Sequence, residues 1–308
     1  MRKTVLILGS NGRIGRHCSE HFWNAGWTVR LFDRKTDNLM DAAKGADVIV
    51  AGWNPPYPQW ADQVPGLHAS IQEAARKAGA TVVLPGNVYV FGPDTPPPWR
   101  ETTAHAARNP LGRIRIELEQ SYRDSGVQTI ILRAGDFIDT QASGIWLDKV
   151  MMPTVPRGHL IYPGVRDIPH AWAFLPDLAR AIEMLSAQKE ELEQFEDITF
   201  PGFTLSGEDL AEHLTEIFGR KVKVRRMNWL PLKLAQPFWP MARALLEMRY
   251  LWDTPHWLES DRFQARLPGF SDTPVADALK HASAPWLHVA KHPKRRFHSI
   301  CRSTQTSR

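Results

Sequence analysis

Three glycines, at positions 9, 12 and 15, separate an apolar run from an amphipathic stretch in this 308-residue chain, which reads "LILGSNGRIG" there. With that spacing Gly9 permits a tight turn, Gly12 lets the backbone approach an anion, and Gly15 lets a helix pack against a strand. The segment Asn11, Gly12, Arg13, Ile14, Gly15 then places the start of a helix, with its outward N–H groups, beside a diphosphate. A second apolar run ends at Asp33, where a carboxylate can hold ribose hydroxyls. Strand, glycine turn, helix, strand and acid in this order mark a dinucleotide site. The acid repels a 2′-phosphate, so NAD is the expected cofactor. Arg34 and Arg13 supply guanidinium groups that would accommodate NADP as the alternative.

A second set of residues could move protons. Asn87 and Tyr89 follow one apolar run in "GNVYVFG", and Tyr57 follows another in "GWNPPYPQW" (52–60). Asn87 can hydrogen-bond a substrate oxygen. A phenol can act as acid or base when a nearby cation such as Arg115 or Arg113 lowers its pKa. In 52–60, Gly52 and Trp53 are expected against the cofactor, and Trp53, Asn54 and Tyr57 against a substrate. The paired prolines stiffen this stretch, and its flat aromatic surfaces suit a pocket wall. Asp136 and His170 are further candidates. Each residue has a plainer alternative as a packed ring or a hydrogen-bonded side chain. Asp177 reads as a structural residue at a helix start. His292, His298 and Cys301 lack a metal-ligand spacing, and no metal is assigned.

The elements that must position these residues alternate regularly. Short apolar runs at 4–9, 28–33, 47–52, 81–86 and 128–135 are separated by helical patterns. Continuous apolar strands with helices between them imply a parallel sheet covered on both faces. The expected fold is therefore α/β, a Rossmann-type doubly wound sheet over 1–140, with a return segment near 168–187. Residues 141–290, richer in Trp, Pro and Met, read as a smaller substrate-side domain. Within it Ser206 and Asp209 precede an amphipathic helix in the manner of a capping box.

The glycine spacing, "GADVIV", "VYVFG", "NPLGRIR" and "AFLPDLARA" together resemble the extended short-chain dehydrogenase/reductase family, the NAD-dependent epimerases and dehydratases, over roughly residues 4–215. That family works with a serine, a tyrosine and a lysine. The resemblance puts Asn87 at the serine, Leu111 at the tyrosine and Arg115 at the lysine. Asn87 keeps a hydrogen bond, and Arg115 keeps a charge for the ribose. Leu111 has no proton to give and is expected as an apolar wall of the cleft. The resemblance implies an atypical oxidoreductase or epimerase acting on a small organic or sugar-like ligand, with Tyr89, Asn87 and Arg115 as its catalytic group. The alternative is a non-catalytic sensor resembling the NmrA-like regulators. A further departure is the spacing after Asp33: only thirteen residues (34–46) precede the next strand, too few for the helix–strand–helix the family places there.

Composition excludes several classes. Apolar and charged fractions are those of a globular protein, and the two cysteines at opposite ends suggest no disulfide framework. A cytoplasmic location is expected, with no membrane partner, because no apolar run is long enough to cross a bilayer. The net charge of +5 is misleading, since six basic residues lie in 291–308 and without them it becomes −1. That end reads as a disordered basic tail, and nucleic acid is not expected as a partner. A homodimer is compatible with the fold.

Overall fold

The computed structural model describes residues 2–291, so of the tail expected at 291–308 all but Lys291 lies outside the described residues. The first half alternates strand and helix: β1 (Thr4–Leu8), α1 (Arg13–Asn24), β2 (Thr28–Phe32), α2 (Leu39–Ala43), β3 (Val48–Ala51), α3 (Trp60–Ala78), β4 (Thr81–Asn87), α4 (Pro110–Asp124) and β5 (Thr129–Ala134). The second half holds β6 (Asp136–Ile138), β7 (His159–Tyr162), β8 (Ala171–Phe174), α5 (Leu175–Ala187), β9 (Phe195–Thr199), β10 (Phe203–Thr204), α6 (Gly207–Phe218), β11 (Lys223–Arg226), α7 (Leu230–Ala235), α8 (Pro240–Glu247), α9 (Asp261–Arg266) and α10 (Val275–Lys291).

Six parallel strands form the main sheet in the order β2-β1-β3-β4-β5-β9. Every residue of β1, β3 and β5 is buried, because both faces are covered. Helices α2, α3 and α4 pack on one face through Ala43, Ile71, Leu118 and Tyr122. Helices α1 and α5 pack on the other through Cys18, Phe22, Leu178 and Ile182. The fold is thus α/β, a doubly wound Rossmann-type sheet. β2 is an edge strand, since 34–46 holds only the five-residue α2.

A separate core joins α6, α10, the three-stranded sheet β10-β8-β6 and the pair β11-β7 around Tyr162, Trp172, Leu210, Trp252 and Leu279. Helix α6 starts with the capping box read from Ser206 and Asp209. Two details differ from the sequence reading. Of 168–187, only α5 returns to the main sheet; β8 joins the small one, and β9 closes the main sheet beside β5. Within β9, Glu196 and Asp197 are buried, paired with Arg262 and Arg266 and with Arg133 respectively. Helix α3 begins at Trp60 and carries Pro65 within it. Trp60 therefore belongs to the core, its indole N–H donating to Pro55 O at 2.9 Å, and not to a pocket wall.

Candidate functional site

At the end of β1, Gly9 takes a left-handed turn with φ +78°. A Cβ there would lie 2.9 Å from Gly52 O, and one on Gly15 would lie 2.2 Å from Gly9 O. These glycines let β1, β3 and α1 touch backbone to backbone. Gly12 differs. Its N–H donates to Gly9 O at 2.8 Å, and an added Cβ would meet only that same oxygen, at 3.0 Å. Gly12 starts α1 in extended conformation, no side chain caps the helix there, and its first turn has no acid. The bare start of α1 carries the positive end of the helix dipole, so the fold presents a cradle for an anion beside Asn11, Gly12 and Ile14.

Two of the cations expected nearby are used differently. Arg13 donates to the carbonyls of Ser143 (3.0 Å) and Gly144 (2.9 Å), tying the glycine loop to the 139–146 segment instead of waiting beside a 2′-phosphate. Arg16 and His17 clamp the same segment through Asp139, each at 2.9 Å. Asp33 stands exposed after the edge strand, one carboxylate oxygen accepting Lys35 N–H at 2.9 Å. Arg34 lies over the Trp53 ring, 5.4 Å from its centre, and Phe32 packs against the same ring. Gly52 and Trp53 thus border the glycine loop, and Asn54 is exposed beyond them.

Deeper along the same strand ends lies a cluster of proton-bearing groups. Residues 88–90 form a single tight turn, and Asn87 Oδ1 accepts Tyr89 N–H at 3.0 Å. The turn aims the Tyr89 phenol at Tyr57, with 2.5 Å between the two hydroxyls. Asp136, at the start of β6, faces this pair and pairs with His170 Nε2 at 2.8 Å. His170 lies flat on Trp252, ring centres 4.3 Å apart, with His256 edge-on at 4.4 Å. His256 hydrogen-bonds Thr254 O through Nδ1, and burial drives its pKa well below the ordinary imidazole value, so it stays neutral. The Asp136 side chain is 27% exposed and open to a ligand, whereas His170 is buried.

Burial raises the pKa of both phenols. For Tyr57 the hydrogen bond from Tyr89 opposes this, while the charge of Asp136 adds to it. For Tyr89 the neighbouring Tyr57 and Asp136 push further, well above the usual value. The expected lowering by Arg115 or Arg113 is therefore corrected. Arg113 is exposed, 3.9 Å from Glu117. Arg115 is turned into the layer between α4 and the sheet, where it donates to Pro85 O (3.0 Å) and Glu119 (3.4 Å). There Arg133 bridges Glu119 and Asp197 at 2.8 Å each and donates to Asn87 O at 2.8 Å. A buried guanidinium must be paired, and two carboxylates inside the fold outcompete an exposed ribose position. Arg115 does not reach a ribose; it belongs to this ion cluster. Leu111 is likewise a core residue and not a cleft wall.

Helix α4 still approaches the site closely. A Cβ on Gly112 would fall 2.6 Å from Tyr89 O, so this glycine lets the helix lie against the Tyr89 turn. Glu247 of α8 accepts from Leu111 N at 2.7 Å and Asn109 Nδ2 at 2.8 Å, closing the helix start from the second half of the chain. Sequence reading missed Glu247, Trp252 and His256. No local pattern marks them, because they meet the site only through packing. Among the described residues His105, Glu119 and Asp197 have ligand atoms within 4.8 Å of one another, but Arg133 already bridges the two carboxylates.

No protein-family model matches the chain, and no curated protein matches it by sequence. Solved structures do. A putative epimerase from Burkholderia cenocepacia is similar with a TM-score of 0.72 and 16% identity, over 94% of this chain and 99% of that one. A UDP-N-acetylglucosamine 4-epimerase from Bacillus cereus is similar with a TM-score of 0.70 and 13% identity, over 92% and 99%. MoeE5, solved with UDP-glucose and NAD, is similar with a TM-score of 0.68 and 14% identity, over 93% and 99%. The likeness is one of fold, and it spans both halves of the chain.

Proposed function

We propose that this protein binds a nicotinamide dinucleotide, NAD in preference to NADP, along the 9–15 loop and Asp33, and acts as an atypical oxidoreductase or epimerase on a small hydroxylated, sugar-like ligand. The observation that carries this reading is convergence: the bare start of α1, the Tyr57–Tyr89 pair and the Asp136–His170 pair lie at the carboxyl ends of neighbouring strands. Ligands of open α/β sheets bind at that edge. The glycine cradle fits a diphosphate, since the space over Gly12 is open apart from Gly9 O and no side chain caps the start of α1. A nicotinamide held there supplies reversible hydride transfer. The chain supplies the proton chemistry. Tyr57 and Tyr89 keep their protons at neutral pH and donate to a ligand oxygen. Asp136, partly open and backed by His170, is the group able to take a proton from a ligand hydroxyl. Asn87, held from below by Arg133, orients Tyr89.

The test is a calorimetric titration with NADH, alone and with UDP-sugars, chosen because MoeE5 was solved with UDP-glucose and NAD. Submicromolar to micromolar NADH binding that Gly12→Val abolishes supports the reading. No affinity for NADH or NADPH overturns it. A second reading, a dinucleotide sensor without turnover, is favoured because burial raises the pKa of both phenols and because Leu111 and Arg115 are both interior. Binding of NADH with no ligand conversion by the wild type, and no change in that affinity in Tyr89→Phe, selects the sensor.

A further inference from the structure

Seven large apolar side chains are prominently exposed among the described residues, and four of them fall within ten positions: Leu230 (56%), Leu234 (68%), Phe238 (91%) and Trp239 (48%). Single exposed apolar residues are ordinary; a contiguous ridge marks an interaction surface. The ridge is built, not frayed. Trp229 anchors α7 from below, its indole N–H donating to Pro163 O at 2.6 Å. Leu230 and Leu234 lie one helical turn apart on α7, and the turn after it, closed by Phe238 N and Trp239 N donating to Ala235 O at 3.0 and 2.8 Å, brings up the two aromatics.

Charge identifies what fits this ridge. Residues 220–249 contain eight Lys or Arg and one acid, Glu247, which is itself engaged at the start of α4. Lys223, Arg225, Arg226, Lys233 and Arg243, on β11, α7 and α8 next to the ridge in the chain, are exposed. Apart from this stretch and 291–308, the chain carries a net charge of −8. The positive charge of the described residues is thus concentrated where the apolar side chains emerge. A second copy of the chain would bring the same positive ridge against itself, which repels. Aromatic and leucine side chains amid lysine and arginine are what an anionic lipid surface accepts: rings and aliphatic chains enter the interface, and cations stay at the headgroups. We propose that the face formed by β11, α7 and the start of α8 docks on an anionic membrane surface. This revises the expectation of no membrane contact; among the described residues no helix is long and apolar enough to cross a membrane.

The full-length protein, at low salt, is mixed with vesicles of phosphatidylcholine alone or of phosphatidylcholine with phosphatidylglycerol, and binding is read by flotation and tryptophan emission. Binding only to the anionic vesicles, with a blue-shifted emission and loss at high salt, is the expected result. The double variant Leu234→Asp/Phe238→Asp, with melting temperature and circular dichroism unchanged, should bind at least about tenfold more weakly. Lys223→Glu/Arg225→Glu should weaken binding as well. No binding by the wild type overturns the proposal, as does equal binding to both vesicle types. Equal binding by the apolar double variant assigns the adhesion to the basic end of the chain and also overturns it. So does a dimer in sedimentation that the apolar variant dissociates, when the wild type ignores vesicles.

Discussion

The glycine loop and the phenol cleft lie at one edge of one sheet but are held by opposite means. The loop is seven consecutive residues whose shape is dictated by backbone contacts, Gly15 against Gly9 and Gly9 against Gly52. The cleft is assembled from side chains at 57, 89, 136, 170, 252 and 256, brought together by β3, β4, β6, β8 and the 248–256 segment. Under it sits the Arg115–Glu119–Arg133–Asp197 cluster, which reaches the cleft through one bond, Arg133 to Asn87 O. A locally determined site tolerates distant change. A globally assembled one fails when its support fails.

The largest expected effect tests that asymmetry. Arg133→Leu leaves Glu119 and Asp197 buried without their bridge, and should cost about 3–5 kcal/mol of stability by urea unfolding. If the loop is as self-contained as it looks, NADH affinity of the remaining folded protein stays unchanged. A loss of affinity equal to the loss of stability would show that loop and cleft are one unit. Arg115→Ala belongs to the same experiment: its loss should appear in stability, and a selective loss of dinucleotide affinity would restore the ribose role denied to it above.

Next comes the separation of binding from chemistry. Tyr89→Phe should lower any turnover about 100-fold with NADH affinity intact. Gly12→Val should do the reverse, removing affinity while the melting temperature moves little. Leu111→Tyr should restore nothing, since a phenol at 111 would enter the core. Equal turnover of wild type and Tyr89→Phe would end the case for this phenol.

Smaller is the effect on cofactor choice. Asp33→Ala removes the carboxylate after the edge strand and should shift preference toward NADPH by about tenfold, roughly 1.4 kcal/mol, with Arg34 on Trp53 at hand. A wild type that already prefers NADPH would contradict the assignment of Asp33.

A last effect, read in pH dependence rather than in affinity or turnover, concerns the 139–146 segment, which links the two regions. Burial raises the Asp139 pKa, but hydrogen bonds from His17 and Arg16 outweigh it and hold the carboxyl at about 2, below its ordinary value of 3.8. A carboxylate with a depressed folded-state pKa stabilises the fold above its unfolded value. That stability is lost as the pH falls from about 4 to 2, and should amount to roughly 2 kcal/mol. Thermal melts across that window should show a decline that Asp139→Asn flattens. An identical pH profile in the variant would assign the decline to the buried cluster instead.

The sequence by itself determined the alternation of strands and helices, the turn at Gly9, the bare start of α1, the capping box at Ser206 and the missing strand after Asp33. These follow from hydrophobic period, backbone freedom and chain length, which act within a few residues. Only the tertiary structure decided that Arg115 serves the core, that Trp60 is buried while Tyr57 meets Tyr89, and that β9, polar in sequence, closes the sheet. It also decided that Asp136 and His170 form a pair under Trp252. Each of these depends on which distant group neutralises a buried charge or fills a neighbouring volume. A charged or aromatic residue looks the same in a string whether its partner is water, a ligand or a side chain more than fifty positions away.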